Sequence, residues 1–441
     1  MNNDAILFWN DIALDAVAND HTGSAQSVNQ RGPTRTARAL AIVHLAMFDA
    51  YNSIARSFTP YLKNLPQAPG GASPQAAIAQ VAFDTLAALY PGQKTIFTTA
   101  LNNFLGTLPP GPPRDQGIAV GAEIAKRILA ERKDDGSGKE ADGPYTAGIL
   151  PGQHRPDPLN PNQGFLTPRW GAVKPFALPN VIDFRSPAPP ELMSAAYGDS
   201  FNDVKANGAK VSTTRTPDET EIGIFWGYDG SQKLGTPPRL YNQNVRDIAA
   251  QQKNNLGQNA RLFALVNLAM ADSGIQCWDT KYFYNLWRPI LGVRDASPGS
   301  GPTGQGDGNI FTTGDPNFVP LGAPRTNPAP GETNFTPNFP SFTSGHATFG
   351  GALFWTLRRF YKKDDITFTL NSDEFNGVNK DVDGTVRPKR TRSFNSFTQA
   401  LLENARSRIY LGIHYQFDAY EGADAGIKIA NYVFSNYLRP L

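Results

Sequence analysis

The sequence is poor in several features that commonly identify a class of protein. It contains a single cysteine, Cys277, so no disulfide can form within the chain. No apolar run reaches the roughly 20 residues that a membrane-spanning helix needs. The formal net charge is only +2, which gives no basis for binding nucleic acid or an anionic membrane. We therefore expect neither a membrane span nor a nucleic-acid partner.

The N-terminal segment also lacks the basic start and the long apolar stretch of a secretory signal peptide. Acidic residues interrupt residues 1–20, and their spacing is typical of an amphipathic helix. Because a leader can be removed before the first residue shown here, secretion or a periplasmic location stays open.

Helical spacing of apolar residues dominates what is present, whereas strand signals are scarce and no short repeat occurs. The length of 441 residues allows a large core, and 36 prolines with 41 glycines imply long ordered loops. We predict an all-α protein made of two four-helix bundles in sequence. The first would cover residues 1–190, and the second, with the functional site, residues 191–441.

The individual helices can be located from the same periodicity. We expect a long loop over 292–343 and a polar excursion over 363–394. Among the histidines, His44 lies in an apolar run and is expected in the core, whereas His21 and His154 are expected at the surface. The helical patterns cover residues 4–19, 32–56, 74–90, 92–107, 114–134, 217–227, 240–253, 258–289, 344–362, 396–411 and a last helix that ends near 437.

A first candidate motif is Ser344-Gly345-His346, which follows a Pro- and Phe-rich approach and opens an apolar helical run. Ser344 is a good N-cap, and a helix N-terminus offers free N–H groups and positive dipole to an oxyanion. Gly345 would let the backbone come close to that anion, and His346 could carry a proton. Taken alone, the motif also suits an ordinary helix cap.

A second motif is KYFYNLWRP, in which Lys281 and Arg288 are seven residues apart. On an α-helix this spacing puts both on one face, two turns apart. Two solvated cations are the simple alternative. The aromatic surroundings instead favour burial, and buried cations need partners.

A third motif, SRIYLGIHYQFD, contains Arg408, His414 and Asp418. Arg408 and His414 would not share a face of one straight helix, so Gly412 suggests that one helix ends and another begins between them. Asp418, four residues after His414, can accept a hydrogen bond from one ring nitrogen and raise the basicity of the other. His414 is therefore a candidate nucleophile or ligand.

The three motifs in this order resemble the signature of the vanadium-dependent haloperoxidase and type 2 phosphatidic acid phosphatase superfamily. Further stretches, among them FWGYDGS, LGTPPRLYNQ, NARLFALVNLAMADSGI, SGHATFGGALF and ENARSRIYLGIHYQFDA, are similar to fungal-type vanadium chloroperoxidases. This likeness covers roughly residues 215–437. The first 210 residues resemble that family more loosely.

The resemblance implies a vanadium chloroperoxidase-like fold with orthovanadate as cofactor. Hydrogen peroxide would oxidise halide to hypohalous acid, which would then halogenate a small organic acceptor. His414 would bind vanadium axially, and His346 would act as acid–base, with Lys281 the third catalytic residue. The vanadate oxygens would be held by Lys281, Arg288, Ser344, Gly345 and Arg408. Trp278 and Phe339 would line the halide side, Asp229 would pair with the site arginines, and Asp418 would support His414.

Several alternatives stay open at the sequence level. The same pocket would suit an acid phosphatase in which His414 is phosphorylated and His346 protonates the leaving group. A helical protein that only stores an anion is a non-enzymatic alternative. Thr343 stands where the family commonly has proline, which removes no ligand. Phe339 stands where bromide-selective relatives often carry histidine, which favours chloride, although iodide-selective relatives also carry phenylalanine there. The chain would be a monomer or a homo-oligomer.

Overall fold

The computed structural model describes residues 4–22 and 28–441, and its architecture is mostly helical, as the sequence predicted. Thirteen α-helices and two short strands occur within these residues. In chain order they are α1 (Ala5–Asp20), α2 (Gly32–Ala55), α3 (Pro74–Leu89), α4 (Lys94–Gly106), α5 (Pro112–Glu131), α6 (Ala195–Asn207), α7 (Pro217–Phe225), α8 (Pro237–Gln251), α9 (Leu256–Tyr284), α10 (Pro289–Asp295), α11 (Gly345–Tyr361), β1 (Phe368–Asn371), β2 (Thr391–Phe394), α12 (Phe397–Tyr410) and α13 (Gln416–Asn436).

The strands β1 and β2 form an antiparallel pair inside the expected polar excursion, with Phe368 opposite Phe394. Both phenylalanines are buried, and their ring centroids lie 5.6 Å apart. This small sheet therefore attaches the excursion to the helical core by an aromatic contact.

Helix α9 lies at the centre of the fold because nearly every side of it is apolar. Asn255 caps its N-terminus and forms a reciprocal capping box with Gln258, which satisfies backbone donors that the first turn leaves free. The helix packs against α2 on one side and against α11 and α13 on another. A helix that is apolar all round is buried on all sides, and here it links the two halves of the chain.

The end of α9 differs from the prediction that one helix would run to Pro289. The helix ends at Tyr284, because Asn285 adopts a left-handed conformation with φ 56°. Pro289 instead occupies the start of α10, where a missing N–H costs nothing, and Arg288 is the N-cap residue of that helix. Lys281 and Arg288 therefore do not share a helix face, and that expectation was wrong.

One continuous hydrophobic core contains residues from both halves of the chain. It includes Leu45 and Phe48 of α2 together with Leu265 of α9 and Leu353 of α11. The boundary between two bundles near residue 190 stays a prediction. Among the described residues, no helix combines the length and the apolar character that crossing a bilayer would require.

Candidate functional site

A cavity of about 400 Å³ lies where the N-terminus of α11 meets the loops that precede α11 and α13. Four residues of the motifs line its inner end: Gly345, His346, Arg408 and His414. The exposed fractions of the three polar side-chain residues are 6%, 1% and 2%, respectively, so this end is almost completely shielded from solvent. Lys281, Arg288 and Ser344 are also buried.

The N-terminus of α11 is built as the sequence indicates. The Ser344 side chain caps the helix by accepting a hydrogen bond from the Ala347 N–H at 3.4 Å. Gly345 faces the cavity, and a Cβ atom at this position would lie 3.5 Å from the Trp278 ring. The glycine therefore keeps the first turn open, and the helix directs its unpaired N–H groups and its positive dipole end toward this region.

His346 has a defined tautomer. Its Nε2 atom lies 2.6 Å from the carbonyl oxygen of Gly227, which can only accept, so Nε2 carries the proton and Nδ1 carries the lone pair. Burial, followed by the charge of Arg408, lowers the pKa of this imidazole to about 3. The ring is therefore neutral at neutral pH and has one nitrogen free to accept a proton.

The Lys281 ammonium is enclosed by the loop that leads into α11. Its Nζ atom donates to the carbonyl oxygens of Pro340 at 2.9 Å and Ser341 at 3.0 Å, and also to that of Thr343. An ammonium has three protons, so all of its donor capacity is used in this arrangement. Burial lowers the pKa of Lys281 below its usual value.

Arg288 connects this loop to the histidine of the third motif. Its Nε donates to the Phe339 carbonyl oxygen and its Nη1 to the Ile413 carbonyl oxygen, each at 2.8 Å. The same Nη1 lies 2.9 Å from Nε2 of His414. Arg288 and His414, far apart in sequence, are thus in direct contact, and burial lowers the pKa of the guanidinium to about 9.

His414 lies in the turn between α12 and α13, where the sequence suggested a break. Gly412 has φ 71°, and a Cβ there would lie 2.3 Å from the carbonyl oxygen of Gly208. Nδ1 of His414 is 2.9 Å from Oδ2 of Asp418, so Nδ1 carries the proton and Nε2 the lone pair. Burial and the charges of Arg288 and Lys281 hold the pKa of His414 well below its usual value.

Ser341 is a site residue that the sequence reasoning missed. Its hydroxyl donates to Oδ2 of Asp418 and lies 3.5 Å from Nδ1 of His414, while its carbonyl oxygen accepts from Lys281. Oδ2 of Asp418 also accepts from the Tyr415 N–H at 3.1 Å. Burial raises the pKa of Asp418. No local pattern marks Ser341, because its role depends on a loop folding back over α13.

Arg408 and Asp229 form a buried ion pair, and both residues line the cavity. Nη2 of Arg408 lies 2.8 and 2.9 Å from the two carboxylate oxygens, and the side chains are 1% and 7% exposed. Nε and Nη1 of Arg408, like Nη2 of Arg288, are buried and have no acceptor among the described residues. Buried charged donors without acceptors are costly, so these groups call for an anion.

The charge balance of this end also favours an anion. Lys281, Arg288 and Arg408 supply three cations, and Asp229 and Asp418 supply two carboxylates. Within the described residues, no group of three or more His, Cys, Asp or Glu side chains could hold a metal cation. The donors instead suit a tetrahedral oxyanion, which presents several acceptor oxygens at once.

Two aromatic rings form the wall next to these cations. The centroids of Trp278 and Phe339 lie 4.7 Å apart, and both residues line the cavity. The Lys281 ammonium lies 5.1 Å and the Arg288 guanidinium carbon 4.9 Å from the Phe339 centroid. Phe339 is therefore held by cation–π contacts while its ring borders the cavity.

Three histidines lie outside the motifs. His44 is buried in the core as expected, with Nδ1 2.7 Å from the Leu40 carbonyl oxygen. His154 is only 1% exposed, so the surface prediction was wrong. The reason is tertiary, since a bridge between Gln153 and Leu286 fixes this loop against the segment that carries Arg288. His21 is half-buried and lines the outer part of the cavity.

Comparison with known proteins agrees with the geometry. Residues 261–441 match the VCPO second helical-bundle domain, and residues 1–105 match the vanadium chloroperoxidase N-terminal domain. The vanadium chloroperoxidase of Curvularia inaequalis is 33% identical over 507 aligned positions, which cover 96% of this chain and 80% of that protein.

Solved structures show a similar fold. A bacterial vanadium-dependent iodoperoxidase aligns with a TM-score of 0.76 and 22% identity, over 98% of this chain and 96% of that one. A holo-type bacterial vanadium-dependent chloroperoxidase aligns with a TM-score of 0.67 and 15% identity, over 95% of each chain. At these identities, the likeness concerns the fold.

Proposed function

Since the chain belongs to the vanadium chloroperoxidase family, we propose that it holds vanadate at the inner end of the cavity described above. The protein is a vanadium-dependent haloperoxidase, which oxidises halide with hydrogen peroxide to hypohalous acid. Its cofactor is vanadate.

The buried donors without acceptors are the observation that supports this assignment most directly. Nη2 of Arg288 and both Nε and Nη1 of Arg408 lack an acceptor among the described residues. Together with the Ser344 hydroxyl and the Gly345 N–H, they would donate to the oxygens of the anion. Nε2 of His414 would have the lone pair needed to bond the metal, since Asp418 fixes the proton on Nδ1.

Arg288 and Lys281 must each give up a present hydrogen-bond partner when the anion binds. Nε2 of His414 faces Nη1 of Arg288 at 2.9 Å, and its one lone pair cannot serve both that donor and a metal. Lys281 donates to three carbonyl oxygens and would release at least one of them to reach an oxyanion. We infer that loading moves the Arg288 guanidinium away from His414.

When bound, vanadate supplies a Lewis-acid centre that activates peroxide toward halide without a change in its own oxidation state. His346 accepts a proton at Nδ1, because Nε2–H is committed to the Gly227 carbonyl oxygen. Arg288, Arg408 and Lys281 would stabilise negative charge at this end of the cavity, where all three side chains are buried. Trp278 and Phe339 form the apolar wall along which halide would approach.

The test is reconstitution with orthovanadate followed by peroxide-dependent oxidation of chloride, bromide and iodide, measured by halogenation of a phenol dye. Wild-type protein should be active only with vanadate, and His414→Ala should lose that activity. Hydrolysis of a phosphate ester, measured without vanadate, is the parallel assay. Hydrolysis together with no halide oxidation would favour the acid phosphatase alternative and contradict this proposal.

A further inference from the structure

The cavity is larger than the oxidation of halide requires. A volume of about 400 Å³ corresponds to about a dozen water molecules, each occupying roughly 30 Å³. Hydrogen peroxide and a halide ion would each fill little more volume than one water molecule. Cavities of this size in proteins commonly hold organic molecules, so the outer part has room for a single-ring compound.

The cavity changes character from its inner end to its mouth. Its middle is apolar and aromatic, with side chains that suit the face of an aromatic ring: Leu166, Trp278, Phe335, Pro337, Phe339 and Phe349. Its outer end contains the exposed residues Arg31 and Glu332 and the half-buried residue Arg325. A ligand that filled this space would meet an apolar wall and then a cationic rim.

Arg325 is the best-placed cation of this rim. Its guanidinium carbon lies 4.1 Å from the centroid of the Phe335 ring, and its Nε is buried without a hydrogen-bond acceptor among the described residues. The nearest carboxylate oxygen, on Glu332, is 3.9 Å from Nε, beyond hydrogen-bond distance. Glu332 already accepts from the Ala329 N–H at 2.8 Å. Arg325 therefore retains donors for a ligand carboxylate.

The segment that carries Arg325 is held rigidly. Ala323 and Phe335 pair through two backbone hydrogen bonds of 2.8 and 3.2 Å, and the Arg325 N–H donates to the Asn334 side chain at 3.0 Å. The hydroxyl of Ser231 donates to the Pro324 carbonyl oxygen at 2.8 Å, which ties this rim to the loop of Asp229. A guanidinium fixed in this way loses little entropy on binding.

We propose that the outer cavity binds an electron-rich aromatic carboxylate as the halogen acceptor, with its ring on the Phe335–Phe339 wall and its carboxylate on Arg325. Arg31 adds a second positive charge at the mouth. The inference rests on the proposed function, because the hypohalous acid formed at the inner end is the halogenating agent. The acceptor then reacts before that acid leaves the protein.

The transfer step is balanced by the two reactants. The ring supplies an electron pair that forms the carbon–halogen bond, and the halogen–oxygen bond breaks with its pair moving to oxygen. The ring then loses its C–H proton to that hydroxide, which gives the aryl halide and water. The halogen is reduced and the ring carbon is oxidised, so no further co-reactant is needed.

Binding is measured first, by calorimetric titration of 4-hydroxybenzoate into vanadate-loaded protein without peroxide. Because vanadate fills the inner anion site, the carboxylate of 4-hydroxybenzoate can bind only to the cations of the outer rim. Arg325→Gln should raise the dissociation constant about 10- to 100-fold, since a charge-assisted hydrogen bond is lost. Arg31→Gln should raise it less and serves as the second variant if Arg325→Gln fails to fold.

Arg390→Gln is the matched control. Its side chain, outside the cavity, has one carboxylate neighbour at 3.6 Å and is 55% exposed, so its replacement should leave the dissociation constant unchanged. Absence of binding to wild-type protein, or equal weakening by Arg325→Gln and Arg390→Gln, would overturn the proposal.

A competition experiment tests transfer inside the cavity. The vanadate-loaded enzyme, with peroxide and bromide or iodide, receives equal amounts of 4-hydroxybenzoate and the uncharged 4-hydroxybenzyl alcohol. Wild type should give several-fold more halogenated carboxylate, relative to the alcohol, than reagent hypohalous acid does in the same buffer. Arg325→Gln should return this ratio toward that of the reagent.

The outcomes separate the two proposals. A wild-type ratio equal to that of the reagent means that the acid reacts in bulk solution, and it overturns the transfer inside the cavity. No halogenation of either compound by any variant contradicts the proposed function instead. In that event the calorimetric result alone still decides whether the rim binds an aromatic carboxylate.

Discussion

Replacing Asp229 by asparagine should show how much the negative charge of Asp229 stabilises the folded protein when no anion is bound beside Arg408. The carboxylate accepts two hydrogen bonds from Nη2 of Arg408, at 2.8 and 2.9 Å, and both side chains are almost fully buried. Asparagine keeps an oxygen acceptor but removes the negative charge. Arg408 would then be a buried cation with two further donors that lack acceptors.

The size of the effect follows from burial. Unit charges 4 Å apart attract by about 4 kcal/mol at an effective dielectric constant near 20. Removal of one partner from a buried pair costs about 3–5 kcal/mol. Because the amide oxygen retains one hydrogen bond, we expect Asp229→Asn to lower the free energy of unfolding by about 3 kcal/mol in a buffer free of oxyanions.

Orthovanadate should narrow the difference. A ligand at 100 times its dissociation constant stabilises a protein by about 2.7 kcal/mol. In the variant the anion also supplies the negative charge that Asp229 no longer provides to Arg408. The difference in unfolding free energy between variant and wild type should therefore shrink by at least about 1 kcal/mol. The assay is urea unfolding with and without saturating orthovanadate.

Asp218→Asn is the control, since Asp218 pairs with Arg392 but is 67% exposed. It should cost less than about 1 kcal/mol and respond to vanadate as wild type does. If Asp229→Asn costs no more than Asp218→Asn, or if vanadate widens the gap, the reasoning about a buried anion site is refuted.

Burial holds the pKa of His44 at about 4, against 6.5 in the unfolded chain, so between these pH values only the unfolded state binds the proton. The free energy of unfolding should therefore fall by about 3 kcal/mol from pH 6.5 to pH 4. His44→Gln should show a flatter pH dependence of the urea midpoint. Asp418→Asn keeps an oxygen that can accept from Nδ1 of His414 but removes the negative charge, so it should weaken vanadate binding about 10- to 100-fold by calorimetry, whereas Asp424→Asn, at a side chain 51% exposed on the same helix, should not. Gly412→Ala would place a Cβ 2.3 Å from a backbone carbonyl oxygen at φ 71°, so it should lower both the thermal midpoint and halide oxidation, while Gly384→Ala, at φ 85° with open space, should cost about 1–2 kcal/mol without loss of activity; equal effects of the two would contradict the role of the turn.

The helices were predictable because their apolar spacing is strong and their ends carry recognisable caps. Ser344 is an example, since its residue type and the run that follows it are local features. The break between Arg408 and His414 was also accessible, because a six-residue separation is incompatible with one face of a helix. Local rules suffice where one element determines the position of a residue.

The spacing of Lys281 and Arg288 shows where such rules fail. Seven residues equal two turns, so a helical interpretation was consistent with periodicity alone. The proline after Arg288 nevertheless disfavours a helical conformation at that arginine, and it marks the start of a new helix. Asn285, which ends α9 in a left-handed conformation, is also of a residue type that favours this conformation at a helix C-terminus.

Ser341 and His154 could not be found because their surroundings come from distant segments. Ser341 reaches Asp418 only when the loop before α11 lies over α13. His154 is buried only because its loop pairs with Leu286. Position in a loop predicts exposure on average, and tertiary contacts reverse it for these residues.

The clasp of three carbonyl oxygens around Lys281 has a consequence for how such a protein can change its reaction. The loop before α11 is held in shape by the Lys281 ammonium, so its conformation should be the same for different bound tetrahedral anions. Exchanging one such anion for another would require no rebuilding of this scaffold. We would then expect related proteins with other reactions to differ at Trp278, at Phe339 and at the outer rim around Arg325. Substitutions there leave the loop around Lys281 unchanged.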